Sequence, residues 1–383
     1  MNNFSYYNPV KIIFGKGMIA ELSNEIPSDA NVLMIYGGGS IKKNGVYNQV
    51  AEALKGYQWQ EFSGIEPNPH YETCMKAVEL IKKEKITFLL AVGGGSVADA
   101  TKFIAAAACF EGEPWDILSK RGTITNTIPL ACVLTLPATG SEMNNGAVIT
   151  RNSTQEKFSF ASDYVFPVFS ILDPETTYSL PDNQTANGVV DAFVHVCEQY
   201  VTYPFDAPIQ DRFSESILLT LVENGPLVLK DPTNYVLRSN IMWAATMALN
   251  GLINCGVPQD WVSHMIGHEI TALHGLAHGE TLAIVLPAVL RVMRENKKEK
   301  ILQMGERVFH ITNGSVEERI DHTIDAVEQF FRSLGLRTKL SEYNLTKDII
   351  DPIVNRFQER GWKMGERGDV IPEKVREILQ AAL

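Results

Sequence analysis

The chain has 383 residues, of which 45% are hydrophobic and 21% charged, and its net charge is −11. These values are typical of a globular protein with two domains, and the acidic balance argues against a nucleic-acid-binding surface. The first residues lack the basic and apolar segments of a signal peptide, and no apolar run is long enough to span a bilayer. Five scattered cysteines without a CxxC pair indicate neither a disulfide framework nor a cysteine zinc site. We therefore expect a cytoplasmic protein.

The first part of the chain alternates short apolar runs, glycine turns and stretches of helical period. Residues 32–36 run into the sequence GGGS at 37–40, and residues 87–92 run into a second GGGS at 93–96. Between them, residues 71–84 carry apolar side chains at helical spacing. Strand, turn and helix repeated in this order predict a parallel α/β sheet. Further strands are expected at 131–136, 146–150 and 168–172.

The second part of the chain is a series of apolar-rich helical stretches. The stretches expected to be helices are 185–201, 211–229, 237–252, 261–273 and 283–293, and the more polar tail includes 320–334. The sequence therefore predicts an α/β domain over residues 1–180 and an all-α domain over residues 181–383.

A glycine turn that follows a strand and opens a helix leaves backbone N–H groups accessible to a pyrophosphate. Ser96 is also placed to cap a helix over 97–108, and Asp99, three residues on, fits a capping box in modified form. The alternative is two ordinary turns, and neither matches the GxGxxG fingerprint. Two such turns after buried strands favour a dinucleotide site of another kind. Segment 136–142 (LPATGSE) follows a third strand and is a further candidate, although an ordinary turn is the simpler interpretation of it.

An acid and a histidine interrupt the apolar helix expected at 185–201. Asp191 and His195 are four residues apart and therefore share one face of that helix. Their neighbours are almost all apolar, so this face is expected to be buried. A buried carboxylate is costly unless it is paired or binds a metal. Taken alone, the pair also fits a structural Asp–His hydrogen bond.

The distribution of histidines favours the metal. The chain has eight, and four of them lie between positions 264 and 278. These four are His264, His268, His274 and His278. Together with Asp191 and His195 they offer oxygen and nitrogen ligands that suit Zn²⁺ or Fe²⁺. Spacing alone does not tell which of the four bind the ion.

These motifs carry a family resemblance. The matching segments are GGGS at 93–96 with Asp99, ATGSE at 138–142, LDP at 172–174, NGVVD at 187–191 with His195, and His264-x-x-x-His268 with His278-Gly279. With them the chain resembles the iron-containing (group III) alcohol dehydrogenases over essentially its whole length. It is most similar to the branch of NADPH-dependent butanol dehydrogenases and broad-range aldehyde reductases. The resemblance implies a Rossmann-like N-terminal dinucleotide-binding domain and a helical C-terminal domain.

The resemblance also implies the site and its reaction. Asp191, His195, His264 and His278 would hold one divalent metal, Fe²⁺ or Zn²⁺, and His268 would lie close enough to relay a proton. His274 receives no role. The enzyme would transfer a hydride between NADP(H) and an aldehyde or primary alcohol, with the metal polarising the carbonyl. The alternatives are a glycerol-dehydrogenase-like or dehydroquinate-synthase-like relative, or a nucleotide-binding module without catalysis.

The residues expected to contact the cofactor are Gly37, Gly38, Gly39, Ser40, Lys43, Asn68, Gly94, Gly95, Ser96, Asp99, Thr135, Thr139, Ser141 and Lys157. NAD-preferring relatives have an Asp after the strand that corresponds to 32–36, where this chain has only glycines and Ser40. Lys42 and Lys43 bring positive charge close by, which favours the 2′-phosphate of NADPH. The expected partners are a small aldehyde or alcohol and a second copy of the chain in a homodimer, but neither nucleic acid nor a membrane.

Overall fold

The computed structural model describes residues 1–383. The eight strands are β1 (Lys11–Phe14), β2 (Asn31–Tyr36), β3 (Gln58–Phe62), β4 (Phe88–Gly94), β5 (Leu130–Leu136), β6 (Gly146–Arg151), β7 (Glu156–Ala161) and β8 (Phe169–Leu172). The first six helices are α1 (Leu22–Glu25), α2 (Ser40–Lys43), α3 (Val46–Ala53), α4 (Tyr71–Glu84), α5 (Gly95–Cys109) and α6 (Asp116–Ser119). The other nine are α7 (Asp182–Tyr200), α8 (Pro208–Lys230), α9 (Tyr235–Ala248), α10 (Val262–His274), α11 (His278–Val292), α12 (Lys298–Val308), α13 (Val316–Ser333), α14 (Ile350–Glu359) and α15 (Pro372–Ala381).

Six strands form one parallel sheet in the order β1-β8-β5-β4-β2-β3. The central strands β4 and β5 are almost wholly buried, as expected when helices cover both faces of a parallel sheet. The strands predicted at 32–36, 87–92, 131–136 and 168–172 are confirmed. The strand predicted at 146–150 is β6, which lies outside this sheet and pairs antiparallel with β7.

The chain divides into two compact units. The first, here called the α/β unit, comprises Tyr7–Leu180 and Pro232–Thr246. The second, here called the helical unit, comprises Met1–Tyr6, Pro181–Asp231 and Met247–Leu383. Most of α9 therefore belongs to the α/β unit, where Trp243 packs its ring edge-on to Phe14 at 6.0 Å. The expected fold class, a Rossmann-like part and a helical part, is confirmed.

Each unit has its own apolar core. In the α/β unit, one cluster packs α4 and α5 on one face of the sheet, and another packs α3 and the first helical turns on the opposite face. In the helical unit, α10, α11, α14 and α15 share a core that includes Ile266, Val285 and Phe357. None of the helices is both long and apolar enough to cross a membrane. All five cysteines are free.

Candidate functional site

Helix α7 contributes an acid and a histidine to the interior of the helical unit. Asp191 and His195 are only 4% and 5% exposed. The apolar residues around them, such as Val189, Val190 and Val194, are fully buried and fix the helix in place. Two ionisable groups one turn apart in this setting need partners to offset their desolvation.

Helices α10 and α11 begin beside this part of α7. His264 lies in the first turn of α10 and is buried, while His278 is the first residue of α11, with its side chain 21% exposed. A Cβ atom on the following Gly279 would lie 2.6 Å from the backbone oxygen of Asn187. Only glycine therefore permits the start of α11 to approach α7 closely enough to bring His278 to Asp191.

Three imidazoles surround a single carboxylate oxygen. Oδ1 of Asp191 lies 3.4 Å from Nδ1 of His195, 3.6 Å from Nε2 of His264 and 3.7 Å from Nε2 of His278. These separations are long for hydrogen bonds, and Oδ1 of Asp191 and Nε2 of His264 are buried without a hydrogen-bond partner. Ligand atoms roughly 2.1 Å from a tetrahedrally bound ion lie about 3.4 Å apart. The donor set therefore fits a divalent metal.

The four expected metal ligands are not equally close to one another. The ligand atoms of Asp191, His195 and His264 all lie within 4.8 Å of one another. His278 lies beside this group, with its Nε2 3.7 Å from Oδ1 of Asp191 and its ring centroid 5.2 Å from that of His264. His268 is next to them, with its ring centroid 5.1 Å from that of His278. His274, at the end of α10, is exposed.

Glu198, which the sequence analysis missed, lies behind His264. Its carboxylate is 1% exposed, Oε2 contacts Nδ1 of His264, and Oε1 accepts hydrogen bonds from the backbone N–H groups of Ser263 and His264. One side chain thus anchors the start of α10 and orients the imidazole. The signal was present in the sequence, since residues 191, 195 and 198 follow the helical spacing i, i+4, i+7.

The charges in this cluster are strongly coupled. Burial raises the pKa of Asp191, but the neighbouring His195, His264 and His278 outweigh burial and hold the pKa below its usual range. Burial lowers the pKa of His195 to about 4, against the opposing effect of Asp191. Burial also acts to lower the pKa of His264, but Glu198 and Asp191 raise it to about 9. The cluster therefore presents an ionised carboxylate and a neutral His195, whereas His264 is protonated near neutral pH and would release a proton when a metal binds.

The glycine turns lie together at one edge of the parallel sheet. Strands β5, β4 and β2 are neighbours in that sheet, and their carboxyl ends lead into the segments 136–142, 93–96 and 37–40 respectively. Ligands of open α/β sheets bind beyond the carboxyl ends of the strands. The three segments that the sequence singled out are thus brought to one place within the α/β unit.

The glycines of the second turn are required by packing. A Cβ on Gly95 would lie 2.3 Å from Oγ1 of Thr139, and one on Gly94 would lie 2.9 Å from the Cβ of Leu136. Helix α5 begins at Gly95 without a side-chain cap, so the capping box expected from Ser96 and Asp99 was wrong. The helix starts earlier than its apolar pattern indicated, and Ser96 and Asp99 lie inside it with other partners.

Those partners connect six of the expected cofactor residues. Oγ of Ser96 accepts a hydrogen bond from the backbone N–H of Asn68, and Lys157 donates to Oδ1 of Asn68 at 2.8 Å. Asp99 is buried and accepts from the Ser141 hydroxyl at 2.6 Å. The Ser141 N–H in turn donates to Oγ1 of Thr139, and Thr135 is buried in β5.

The first turn is open. Side chains added at Gly38 or Gly39 would meet nothing within 4 Å, and Ser40 and Lys43 are exposed. The positive charge expected at Lys42 is partly neutralised, because its Nζ lies 3.1 Å from Oε1 of Glu61 on β3. Lys43 is not part of that ion pair.

Comparison with known proteins identifies the family. Residues 9–174 match the family model for iron-containing alcohol dehydrogenase, and residues 185–383 match the C-terminal model of the same family. The chain belongs to the iron-containing alcohol dehydrogenases. The resemblance drawn from the motifs is therefore confirmed, and so is the expected reaction class, oxidoreduction between aldehydes and alcohols.

Two relatives and two solved structures illustrate the likeness. The chain is 58% identical to the NADPH-dependent aldehyde reductase YqhD of Escherichia coli and 42% identical to a probable NADH-dependent butanol dehydrogenase of Bacillus subtilis, each over the full length of both chains. A crystal structure of E. coli YqhD superposes with a TM-score of 0.98 at 57% identity, covering 100% of this chain and 99% of the other. The NADH-dependent butanol dehydrogenase A of Thermotoga maritima gives 0.95 at 38% identity, with the same coverage.

Proposed function

We propose that this iron-containing alcohol dehydrogenase is an NADPH-dependent reductase of small aldehydes that uses one divalent metal held by Asp191, His195, His264 and His278. The observation that carries the proposal is the ring of three imidazole nitrogens 3.4–3.7 Å from one oxygen of Asp191. The 58% identical relative from E. coli is by name an NADPH-dependent aldehyde reductase. Nitrogen and carboxylate donors suit Fe²⁺ and Zn²⁺ alike.

The chemistry divides between the bound groups and the protein. When bound, the metal supplies a Lewis acid for the carbonyl oxygen and NADPH supplies the hydride. Asp191 would contribute the negative charge of the ligand set, and Glu198 holds the His264 ring with Nε2 directed toward Asp191, where it would be available as a ligand. His268, whose ring lies 5.1 Å from that of His278, delivers a proton to the product alkoxide, directly or through water.

The cofactor site uses the carboxyl edge of the parallel sheet. Backbone N–H groups of Gly94, Gly95 and Ser96 at the start of α5 bind the pyrophosphate. The residues that complete the site are Gly37, Gly38, Gly39, Ser40, Lys43, Asn68, Asp99, Thr135, Thr139, Ser141 and Lys157. Asp99 acts through Ser141, because its carboxylate is buried against that hydroxyl.

The preference for NADPH over NADH rests on the open first turn. No carboxylate directly follows β2, and a Cβ atom added at Gly38 or Gly39 would meet no other atom within 4 Å. Ser40 and the exposed Lys43 provide a hydrogen bond and a positive charge to the 2′-phosphate. Glu61 on β3 is paired with Lys42, so its repulsion of a phosphate is reduced.

Two further properties are proposed from the family resemblance and the sequence. The enzyme forms a homodimer through the α/β unit, and light scattering that gave the mass of a single chain would contradict this. It is located in the cytoplasm, in keeping with five cysteines that are all free.

The proposed function is tested by NADPH oxidation with a panel of aldehydes. Short aliphatic aldehydes such as butanal should support turnover, and the reverse assay with glycerol should not. Each assay is run with protein reloaded with Zn²⁺ or Fe²⁺ after chelation. No aldehyde-dependent NADPH oxidation under any metal condition would contradict the proposal.

A further inference from the structure

We propose that Lys102 is a positioning residue that holds the loop 139–146 in the shape required for dinucleotide binding. The inference rests on the proposed cofactor site, and it assigns a task to a buried charge that the reaction itself does not use. Lys102 lies inside helix α5, two turns beyond the glycine turn at 93–96.

One face of α5 carries three contacts to this loop and to the strand that follows it. Gly95, Asp99 and Lys102 follow the spacing i, i+4, i+7 and therefore share that face. Gly95 lies against Thr139, and Asp99 accepts hydrogen bonds from the Ser141 hydroxyl and the backbone N–H of Val148. The loop is thus fixed along two turns of the helix.

The third contact is made by Lys102. Its Nζ donates to Oδ1 of Asn144 at 2.9 Å and to the backbone oxygen of Gly146 at 2.8 Å. Asn144 in turn donates from Nδ2 to the backbone oxygen of Thr139. Lys102 is therefore connected through the side chain of Asn144 to Thr139, which lies in segment 136–142 and is one of the proposed cofactor-binding residues.

The partners of Lys102 are unusual for a buried cation. Its relative exposure is 0%, and no carboxylate oxygen lies within ion-pair distance. Burial lowers the pKa of Lys102 to about 8, opposed by the more distant Asp99. An apolar side chain would avoid this desolvation and would fill the same space, but the Gly146 carbonyl would lose the Nζ donor and Asn144 Oδ1 would keep only the Gly146 N–H. The lysine is therefore explained by the loop geometry that it maintains.

The test compares NADPH binding among variants without any aldehyde, so that metal and turnover play no part. Lys102→Met keeps the length of the side chain and removes its donors, and Asn144→Ala removes the acceptor that leads to Thr139. We expect the Kd for NADPH, measured by fluorescence titration, to rise roughly tenfold or more in each variant. The double variant should bind no more weakly than Lys102→Met alone, because both changes break the same connection.

The control is Phe103→Leu, a buried residue of α5 whose ring packs against Tyr71 and Phe160. It should lower the Tm and leave the Kd unchanged. If Lys102→Met and Asn144→Ala also lowered only the Tm, Lys102 would be a structural residue and the inference would be overturned. If the unmodified protein bound no NADPH, the proposed cofactor site would fail first. Asn144→Ala keeps the test decisive should Lys102→Met not fold.

Discussion

Glu198 contacts Nδ1 of His264 while Nε2 of the same ring lies 3.6 Å from Oδ1 of Asp191. One nitrogen of the imidazole is thus held by a buried carboxylate, and the other is directed into the cluster. This arrangement fixes the ring orientation and leaves Nε2 as the metal ligand.

Replacing Glu198 with Gln should weaken metal binding by roughly tenfold to a hundredfold, because the orienting carboxylate is lost. The measurement is a competitive metal titration of the chelated protein, independent of turnover. Glu215→Gln is the matched control, since Glu215 is also buried but is bound to Tyr200 and Arg307. Equal metal affinity in the Glu198→Gln variant and the unmodified protein would show that Glu198 only stabilises α10.

Gly38→Asp should shift cofactor preference toward NADH, because a carboxylate there would repel the 2′-phosphate and accept the 2′-hydroxyl. Gly38 is a better position than Gly39, whose φ of 90° disfavours a side chain. In the same assay, Lys43→Ala should reduce kcat/KM for NADPH by roughly ten- to hundredfold, the worth of a charge-assisted contact. Lys42→Ala, which removes a lysine already paired with Glu61, should have the smaller effect. Equal effects of the two lysines, or no preference for NADPH in the unmodified enzyme, would contradict the assignment.

His268→Ala should retain its metal and lower kcat, with an altered pH profile, if His268 delivers the proton. His274→Ala is the control, because His274 is exposed at the end of the same helix. Metal content and the pH dependence of kcat are measured for both. A His268→Ala enzyme with an unchanged rate at every pH would leave this residue a packing role alone.

The buried Lys102 predicts a pH-dependent stability. Its pKa is lowered by burial to about 8 in the folded protein, from an ordinary value of 10.5. Between these two values the unfolded chain binds the proton and the folded chain does not, so this group makes the protein more stable as pH rises. This contribution to the free energy of unfolding is fully present above the pKa of the unfolded chain, and it is lost as the pH falls to the pKa of the folded protein. Between pH 8 and 10, the free energy of unfolding measured with denaturant should therefore rise less, or fall more steeply, for Lys102→Met than for the unmodified protein. Parallel pH profiles would contradict the lowered pKa.

The parts of the fold that could be predicted were those with a long periodic signal. The strand predicted at 87–92 and the helix predicted at 71–84 are both confirmed, since residues 88–92 are all buried and the helix is clearly amphipathic. Strand β1 was missed because it has only four residues, and β3 and β7 were missed because at least half of their residues are polar, as in the sequence QWQEF of β3. The place of α9 within the α/β unit depends on contacts such as that of Trp243 with Phe14, which helical periodicity cannot reveal.

The residues of the candidate site also divide into those that the sequence predicted and those that it did not. Asp191 and His195 were predicted because an acid and a histidine on a buried, apolar helix face need a partner or a bound metal. Helical spacing places Glu198 on the same face as Asp191 and His195, but its role depends on a partner, His264, that is 66 residues away. The ion pair of Lys42 was not predicted for a similar reason, since its partner Glu61 lies on the neighbouring strand β3. Side chains that form hydrogen bonds or ion pairs across the sheet or between helices leave no local sequence pattern that identifies the partner.

The central claim is that one metal ion, held by Asp191 and the three histidines, is required for aldehyde reduction. The most direct measurement is the rate of NADPH oxidation with butanal as metal is returned to chelated protein, for the unmodified chain and for Asp191→Ala. We predict that activity rises in proportion to bound metal and saturates at one ion per chain, and that Asp191→Ala neither binds the ion nor regains activity. Full activity in the chelated protein, or stoichiometric metal in Asp191→Ala, would contradict the account.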